Sequence, residues 1–383
     1  MNTLRIISER PIEDIFSHLS QYESTKLALK LIQRKDKNNR LTPELAEAKA
    51  IGVAYCLRNA REYLRQTDVS WTTRLLNGYY GMMALSGALM IADPDNTYTL
   101  QDFEGFTKKG HGLSNIDSEA PFPEGQLIYL TKKGLFLEFA AHLGLKLDAF
   151  KVKDRPDSTQ DLHLIKDKHL TLDNLLACIP ELADLYFNVT GKPPKSSPYE
   201  MKSPDPRGGP KFGNQSLPDP PEDPNAADAF PLGLCYLLTS PYHQTLEDCK
   251  VMQNYFQPLD IIQRTNDGPA IRGYVLGDSE EACLARIPSH QSALVPPSWF
   301  DAPFGEVKDM LAVHFLITYH LSIIVRYRPS LWREITEGEY NDYFSLIRQY
   351  HQVFSRVVPQ LVLERLEGRP VKLIALFNGL QVH

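Results

Sequence analysis

The sequence predicts a mainly α protein, a multi-helix bundle with a minor β element and one long proline-rich loop. Three observations carry that prediction. Apolar residues recur at three-to-four spacing along most of the chain, the helix starting at Thr42-Pro43 carries clear cap chemistry, and 10 of the 28 prolines crowd into residues 192–224.

The elements follow in order. Residues 12–32 show helical periodicity and end in the charged run Arg34-Lys35-Asp36-Lys37. Thr42 can cap a second helix, with Pro43 at its first position, and Ala46, Ala50, Val53, Leu57 and Ala60 form its inward stripe to about residue 64. Residues 71–92 make a third helix, with Gly81, Ala84 and Ala88 on one face for close packing, stopped by Asp93-Pro94-Asp95. Gln126 to Leu130 has the apolar density of a short strand, and Thr131-Lys132-Lys133-Gly134 turns the chain into a helix through His142. The tetrapeptide Thr-Lys-Lys-Gly also occurs at 107–110, a match so short that chance explains it better than an internal repeat. Residues 170–189 read as helix broken at Pro180, 230–256 as mostly helix, and 270–276 with 282–287 as a strand-like pair. Residues 303–332 and 339–366 close the chain as two strong helices, the latter with Phe344, Ile347, His351, Phe354, Val358 and Leu361 on one side.

Residues 192–224 lack the pattern for helix or an interior strand and read as a long connection. The expected organisation is therefore an N-terminal helical half (1–191), a proline-rich linker or insertion (192–225), and a C-terminal helical half (226–383) that packs back on the first. The apolar faces of 71–92 and 311–325 are too extensive to stay wet, so they should pack on each other or on a shared neighbour.

With 43% hydrophobic and 23% charged residues the chain can build a sizeable core, and a net charge of -6 speaks against wholesale coating of nucleic acid. Five scattered cysteines without CxxC spacing suit buried thiols in a reducing cytoplasm, not a disulfide framework or zinc site. The charged N-terminus predicts no secretion signal, and residues 81–92 and 311–325 read as core helices too short for a membrane span. The expectation is a cytoplasmic protein with no membrane association, no metal and no cofactor.

Few residues offer chemistry. His111, between two glycines and after Lys108 and Lys109, suits phosphate contact or acid-base work and is the best catalytic candidate. Arg326 and Arg328, beside Tyr327 and Trp332, have the arginine-aromatic character of phosphate and RNA binding, and equally that of a satisfied helix end. His314 and His320 fall on different helix faces, so each reads as a hydrogen-bonded core histidine and not as half of a metal site. No P-loop, GxGxxG, GxSxG or HExxH is present, which removes the commonest enzyme classes. Within the proline-rich stretch Tyr199, Met201, Phe212 and Leu217 are the sizeable apolar side chains, hence the expected anchors for a partner.

Four blocks resemble the YaaC-like proteins, a bacterial group. They are Leu75-Leu76-Asn77-Gly78-Tyr79-Tyr80-Gly81-Met82-Met83, Gly110-His111-Gly112, Leu175-Leu176-Ala177-Cys178-Ile179-Pro180-Glu181-Leu182, and Arg326-Tyr327-Arg328-Pro329 with Trp332. The resemblance runs over most of the chain, with the proline-rich stretch as an insertion. A more distant likeness is to HEPN domains, helical bundles of toxins, antiviral RNases and RNA-binding proteins, where a helix with paired aromatics precedes a turn with a histidine. Active HEPN ribonucleases space an arginine and a histidine more widely than Arg286 and His290 or Arg348 and His351 do. The resemblance thus implies a HEPN-like bundle acting as a non-catalytic interaction subunit of a bacterial complex, in antiviral defence or stress, binding a protein partner or RNA. The alternative it implies is a HEPN-like nuclease or toxin with a non-standard site using His111 and Arg326.

Overall fold

Two long helices begin at hydroxyl caps, Thr42 and Ser70. The structure, a computed structural model, describes residues 3–202 and 285–375, and between them 211–212, 215–216, 232–238, 241–243, 245, 247–256, 259–264 and 268–277. The chain forms two units, one of Met1–Leu176 with Met310–His383, the other of Ala177–Asp309. It divides after Leu176 and after Asp309, not at the expected 191 and 226.

The first unit begins with strand β1 (Leu4–Ser8) and helices α1 (Pro11–Ser20), α2 (Thr25–Lys35), α3 (Pro43–Leu64) and α4 (Trp71–Ala92). Thr42 Oγ1 accepts from Leu45 N and Ser70 Oγ from Thr73 N, so a hydroxyl cap opens both α3 and α4. The predicted stripe of α3 is buried throughout. It faces the small residues of α4, where a Cβ on Gly81 would strike the Leu64 side chain. Helix α5 (Leu100–Lys108) was not foreseen, although Thr99 and Asp102 make a reciprocal capping box at its start. Strands β2 (His111–Asp117), β3 (Gln126–Gly134) and β4 (His169–Thr171) form an antiparallel sheet in that order, with helix α6 (Leu135–His142) after β3 and α7 (Leu172–Ala177) after β4.

The second unit holds helix α8 (Ala183–Thr190) and strands β5 (Ser196–Lys202), β6 (Lys211–Phe212), β7 (Gln215–Ser216), β8 (Leu232–Leu238), β9 (Leu259–Arg264), β10 (Gly268–Gly277), β11 (Ser289–His290) and β12 (Ser298–Phe300). Six of them make a sheet ordered β11-β12-β5-β8-β10-β9, its pairs antiparallel. Two expectations are corrected here. The proline-rich stretch does hold an interior strand, because β5 contains a single proline, Pro198, and so loses one ladder donor only. Residues 230–256, expected as mostly helix, contain β8 and a 3-10 turn at Lys250–Asn254. Residues 270–276 lie in β10 as expected. Of their proposed mate, 282–284 fall outside the described residues and 285–287 are not strand. Leu238, Met252, Phe256, Ile271, Val275 and Trp299 pack as this unit's core.

The chain then returns to the first unit as α9 (Met310–Tyr327), α10 (Pro329–Thr336), α11 (Asn341–Glu367) and β13 (Val371–Ala375), which pairs parallel with β1 from Leu4↔Val371 onward. Helix α9 packs on α4 as their apolar faces predict, with the Tyr79 ring edge-on to Phe315 at 5.9 Å and to Tyr319 at 5.7 Å. Helix α4 spans the expected 71–92, whereas the helix expected over 303–332 starts only at Met310 and is broken before Pro329 into α9 and α10. By length and mean hydropathy (1.3 and 1.4) α4 and α9 each pass for a membrane crossing, yet 78% and 83% of their most apolar windows are buried within the protein. Helix dominates, so the chain is mainly α.

Candidate functional site: a neutral histidine under a buried tyrosine

His111 is the first residue of β2 and pairs with Gly134 of β3. The sequence suggested a flexible basic turn, but here the imidazole is half-buried and fixed. The Tyr79 hydroxyl lies 2.6 Å from its Nδ1, and the Tyr319 ring is centred 5.5 Å from the imidazole. Three elements meet at this point: α4 supplies Tyr79, the start of β2 supplies His111, and α9 supplies Tyr319 and Arg326.

The protons can be placed by elimination. Tyr79 is wholly buried, and among the described residues its hydroxyl has His111 Nδ1 as its one partner. Burial, and then the nearby Tyr319, hold the Tyr79 phenol far above its ordinary range, so it keeps its proton. Were Nδ1 the donor, that phenolic proton would be buried without an acceptor, a loss of about 1–3 kcal/mol. The hydroxyl therefore donates to Nδ1 and the imidazole carries its own proton on Nε2. Burial, followed by the charge of Arg326, lowers the His111 pKa below the usual histidine value and keeps the ring neutral. Such a ring presents an N–H donor, not a base.

The other predicted residues divide. Arg326 stays with the cluster, its Nε and NH2 groups donating to Ser322 and its guanidinium 5.0 Å over the Tyr327 ring. Arg328 is withdrawn, since it pairs with Asp117 at the far end of β2. Lys108 and Lys109 are exposed, Lys108 at a loose 3.8 Å from Glu104 and Lys109 at 5.5 Å over Phe106. Trp332 donates to Thr72 Oγ1 at 2.9 Å, tying α10 to α4. Of the expected partner anchors, Tyr199 lies on β5 with its hydroxyl 2.7 Å from Ser289 Oγ, Met201 and Phe212 lie on β5 and β6, and Leu217 lies outside the described residues.

His314 and His320 are both fully buried. His314 Nδ1 lies 3.3 Å from the Tyr350 hydroxyl, in keeping with a hydrogen-bonded core histidine. His320 departs from that expectation, because neither ring nitrogen has a partner among the described residues and burial drives its pKa to about 3. Among the described residues no group of three His, Cys, Asp or Glu side chains is placed to hold a metal ion.

Residues 20–217 and 278–366 match the family described as YaaC-like Protein. The chain belongs to the YaaC-like family. The match takes in 192–217 and is interrupted over 218–277, so the stretch outside the family begins later than the insertion expected at 192–225. No curated protein and no solved structure matches the chain. Of the four YaaC-like blocks, three meet in the first unit: 75–83 brings Tyr79, 110–112 brings His111, and 326–332 brings Arg326. The fourth, 175–182, reaches into the second unit and carries Glu181. There His290 Nε2 and Ser292 Oγ both donate to the same Glu181 oxygen, each at 2.7 Å. Burial pushes the Glu181 pKa up, but the hydrogen bond and charge of His290 and the hydrogen bond of Ser292 outweigh it and hold the carboxyl below its usual range. The histidine does not stand between serine and carboxylate, so the trio is a buried polar tie and not a nucleophile relay.

Proposed function

We propose that this YaaC-like chain is a non-catalytic binding subunit of a bacterial complex serving defence or stress, and that it grips an anionic group of its partner, RNA or protein, beside His111 and Arg326. The observation that carries this reading is the Tyr79–His111 hydrogen bond. It turns the imidazole into a neutral donor whose Nε2–H stands near a guanidinium, a pairing that suits a phosphate or carboxylate oxygen. The competing reading, a HEPN-like nuclease using His111 and Arg326, needs an unprotonated nitrogen free to take a proton, and the Tyr79 hydroxyl occupies the only one. Titration of the full chain with inorganic pyrophosphate tests this, read by calorimetry and by the imidazole nitrogen resonances. Saturable binding that His111→Ala removes, with Nε2 protonated throughout, supports a binding role. Cleavage of labelled RNA by the wild type, abolished in His111→Ala with the fold intact, overturns it.

A further inference from the structure

The two Thr-Lys-Lys-Gly segments, 24 residues apart in sequence and unrelated as a repeat, are brought together by the fold at their glycine ends. His111 pairs with Gly134 across the β2–β3 ladder, and the Leu135 amide donates to the Gly110 carbonyl at 3.0 Å. Residues 107–110 and 131–134 thus meet at their glycines, Gly110 and Gly134, at one end of an antiparallel pair. The approach depends on glycine on both sides. Gly112 and Gly134 have φ of +80° and +138°, and a Cβ on Gly134 would come within 2.6 Å of the Gly110 oxygen.

The lysines so gathered are exposed and poorly neutralised. Lys109, Lys132 and Lys133 make no ion pair among the described residues, and Lys108 has only its loose contact with Glu104. This basic edge belongs to a chain whose net charge is -6, so it stands out from the background. Beside it, the Tyr319 ring packs on His111, and Arg326 stands two turns further along the same face of α9. Next to Arg326, Tyr327 is 64% exposed, an aromatic face in water with a guanidinium on its other side.

Several separated cations along a strand end, together with one open aromatic face, match a chain of phosphates with an unstacked base. A duplex keeps its bases stacked and has no use for the tyrosine, whereas a single strand offers both parts. We infer that this edge of the first unit binds single-stranded nucleic acid, with phosphates on Lys109, Lys132, Lys133 and His111 and a base on Tyr327. This rests on the binding role proposed above and names its ligand.

The test is fluorescence anisotropy of the full chain with labelled oligouridine and oligothymidine of about twelve nucleotides, a matching duplex, and inorganic pyrophosphate as a separate titrant. Single strands should bind better than duplex. The double variant Lys132→Gln/Lys133→Gln should lower the salt slope of log K by about 1.4, roughly 0.7 for each lost phosphate contact. Tyr327→Ala should weaken binding about ten-fold or more. All three side chains are exposed, so melting temperatures should stay put. Binding of either sugar type supports the proposal, the tighter one naming the source. Equal binding of duplex, or an unchanged salt slope in the double variant, overturns it. If pyrophosphate still binds in a His111-dependent way while oligonucleotides do not, this inference falls and the binding role stands. If neither binds, both fall.

Discussion

Lys49 Nζ lies 3.0 Å from the carbonyl oxygen of Asp93, the residue that ends α4. It also donates to Ile91 O at 3.1 Å and to Asn96 Oδ1 at 3.0 Å. A fully buried lysine on α3 thereby satisfies carbonyls that the end of α4 leaves without helical partners, and puts a cation at the negative pole of that helix. Burial lowers its pKa to about 8, the carboxylate of Asp93 opposing that fall.

Lys49→Met keeps the length of the side chain and removes all three donors. The variant should lose about 2–4 kcal/mol of stability, because the Ile91 and Asp93 carbonyls then lose this donor, while Asn96 Oδ1 keeps only the Tyr98 amide at 2.8 Å. Chemical denaturation compares it with Glu47→Met, a change on the exposed side of the same helix. Equal midpoints for the two would show that Lys49 caps nothing.

Gly134 and Gly144 both have positive φ, but only Gly134 faces another backbone. Gly134→Ala should cost about 3 kcal/mol or more, since strain and collision add, while Gly144→Ala, with nothing within 4 Å, should cost about 1–2 kcal/mol from its backbone conformation alone. Thermal unfolding of the pair separates the two contributions. Similar losses would mean that the β2–β3 end relaxes to admit a methyl group.

Acid should unfold the first unit earlier than its carboxylates demand. Burial holds His320 at about 3 and His351 at about 4, with Arg328 and Arg74 adding smaller pushes in the same direction. The folded pKa values lie below that of an unfolded histidine, so the unfolded chain takes up protons that the folded chain refuses. Their contribution is intact above about pH 6.5 and drains away as pH falls toward 4, by about 1.4 kcal/mol per pH unit for each ring. Urea midpoints at pH 7 and pH 5 measure the slope, and His320→Gln should flatten it. A wild-type midpoint unchanged over that interval would rule the effect out.

The sequence announced α3 and α4 because each has a chemical boundary. Thr42 with Pro43 marks the first turn of α3, and the Asp93-Pro94 step marks the end of α4, whose Ser70 cap the sequence reading passed over. The strand β8 was hidden for the opposite reason, since Leu-Gly-Leu-Cys-Tyr-Leu-Leu is apolar at every position but one and has no period to separate strand from buried helix. β1 and β13 pair across almost the whole chain, from Leu4 to Val371, and nothing local to either betrays the other. At the site, Tyr79 and His111 each drew notice alone, while their hydrogen bond depends on a β ladder and a helix crossing that no spacing encodes. Lys49 did leave a trace. It interrupts the inward stripe between Ala46 and Ala50, and a charge on a buried face needs partners.

The insertion of the second unit between Leu176 and Met310 has a consequence for biosynthesis. Helix α4 is complete once Ala92 leaves the ribosome, but the α9 surface against which Tyr79 packs begins at Met310. At ordinary elongation speed that interval lasts on the order of ten to forty seconds. Through it one apolar side of α4 waits for its mate, while the contiguous stretch from Ala177 to Asp309 is finished first. A stop codon anywhere before α9 would therefore release a product with the α9-facing side of α4 uncovered, a natural client for chaperones and proteases and not a working half of the protein.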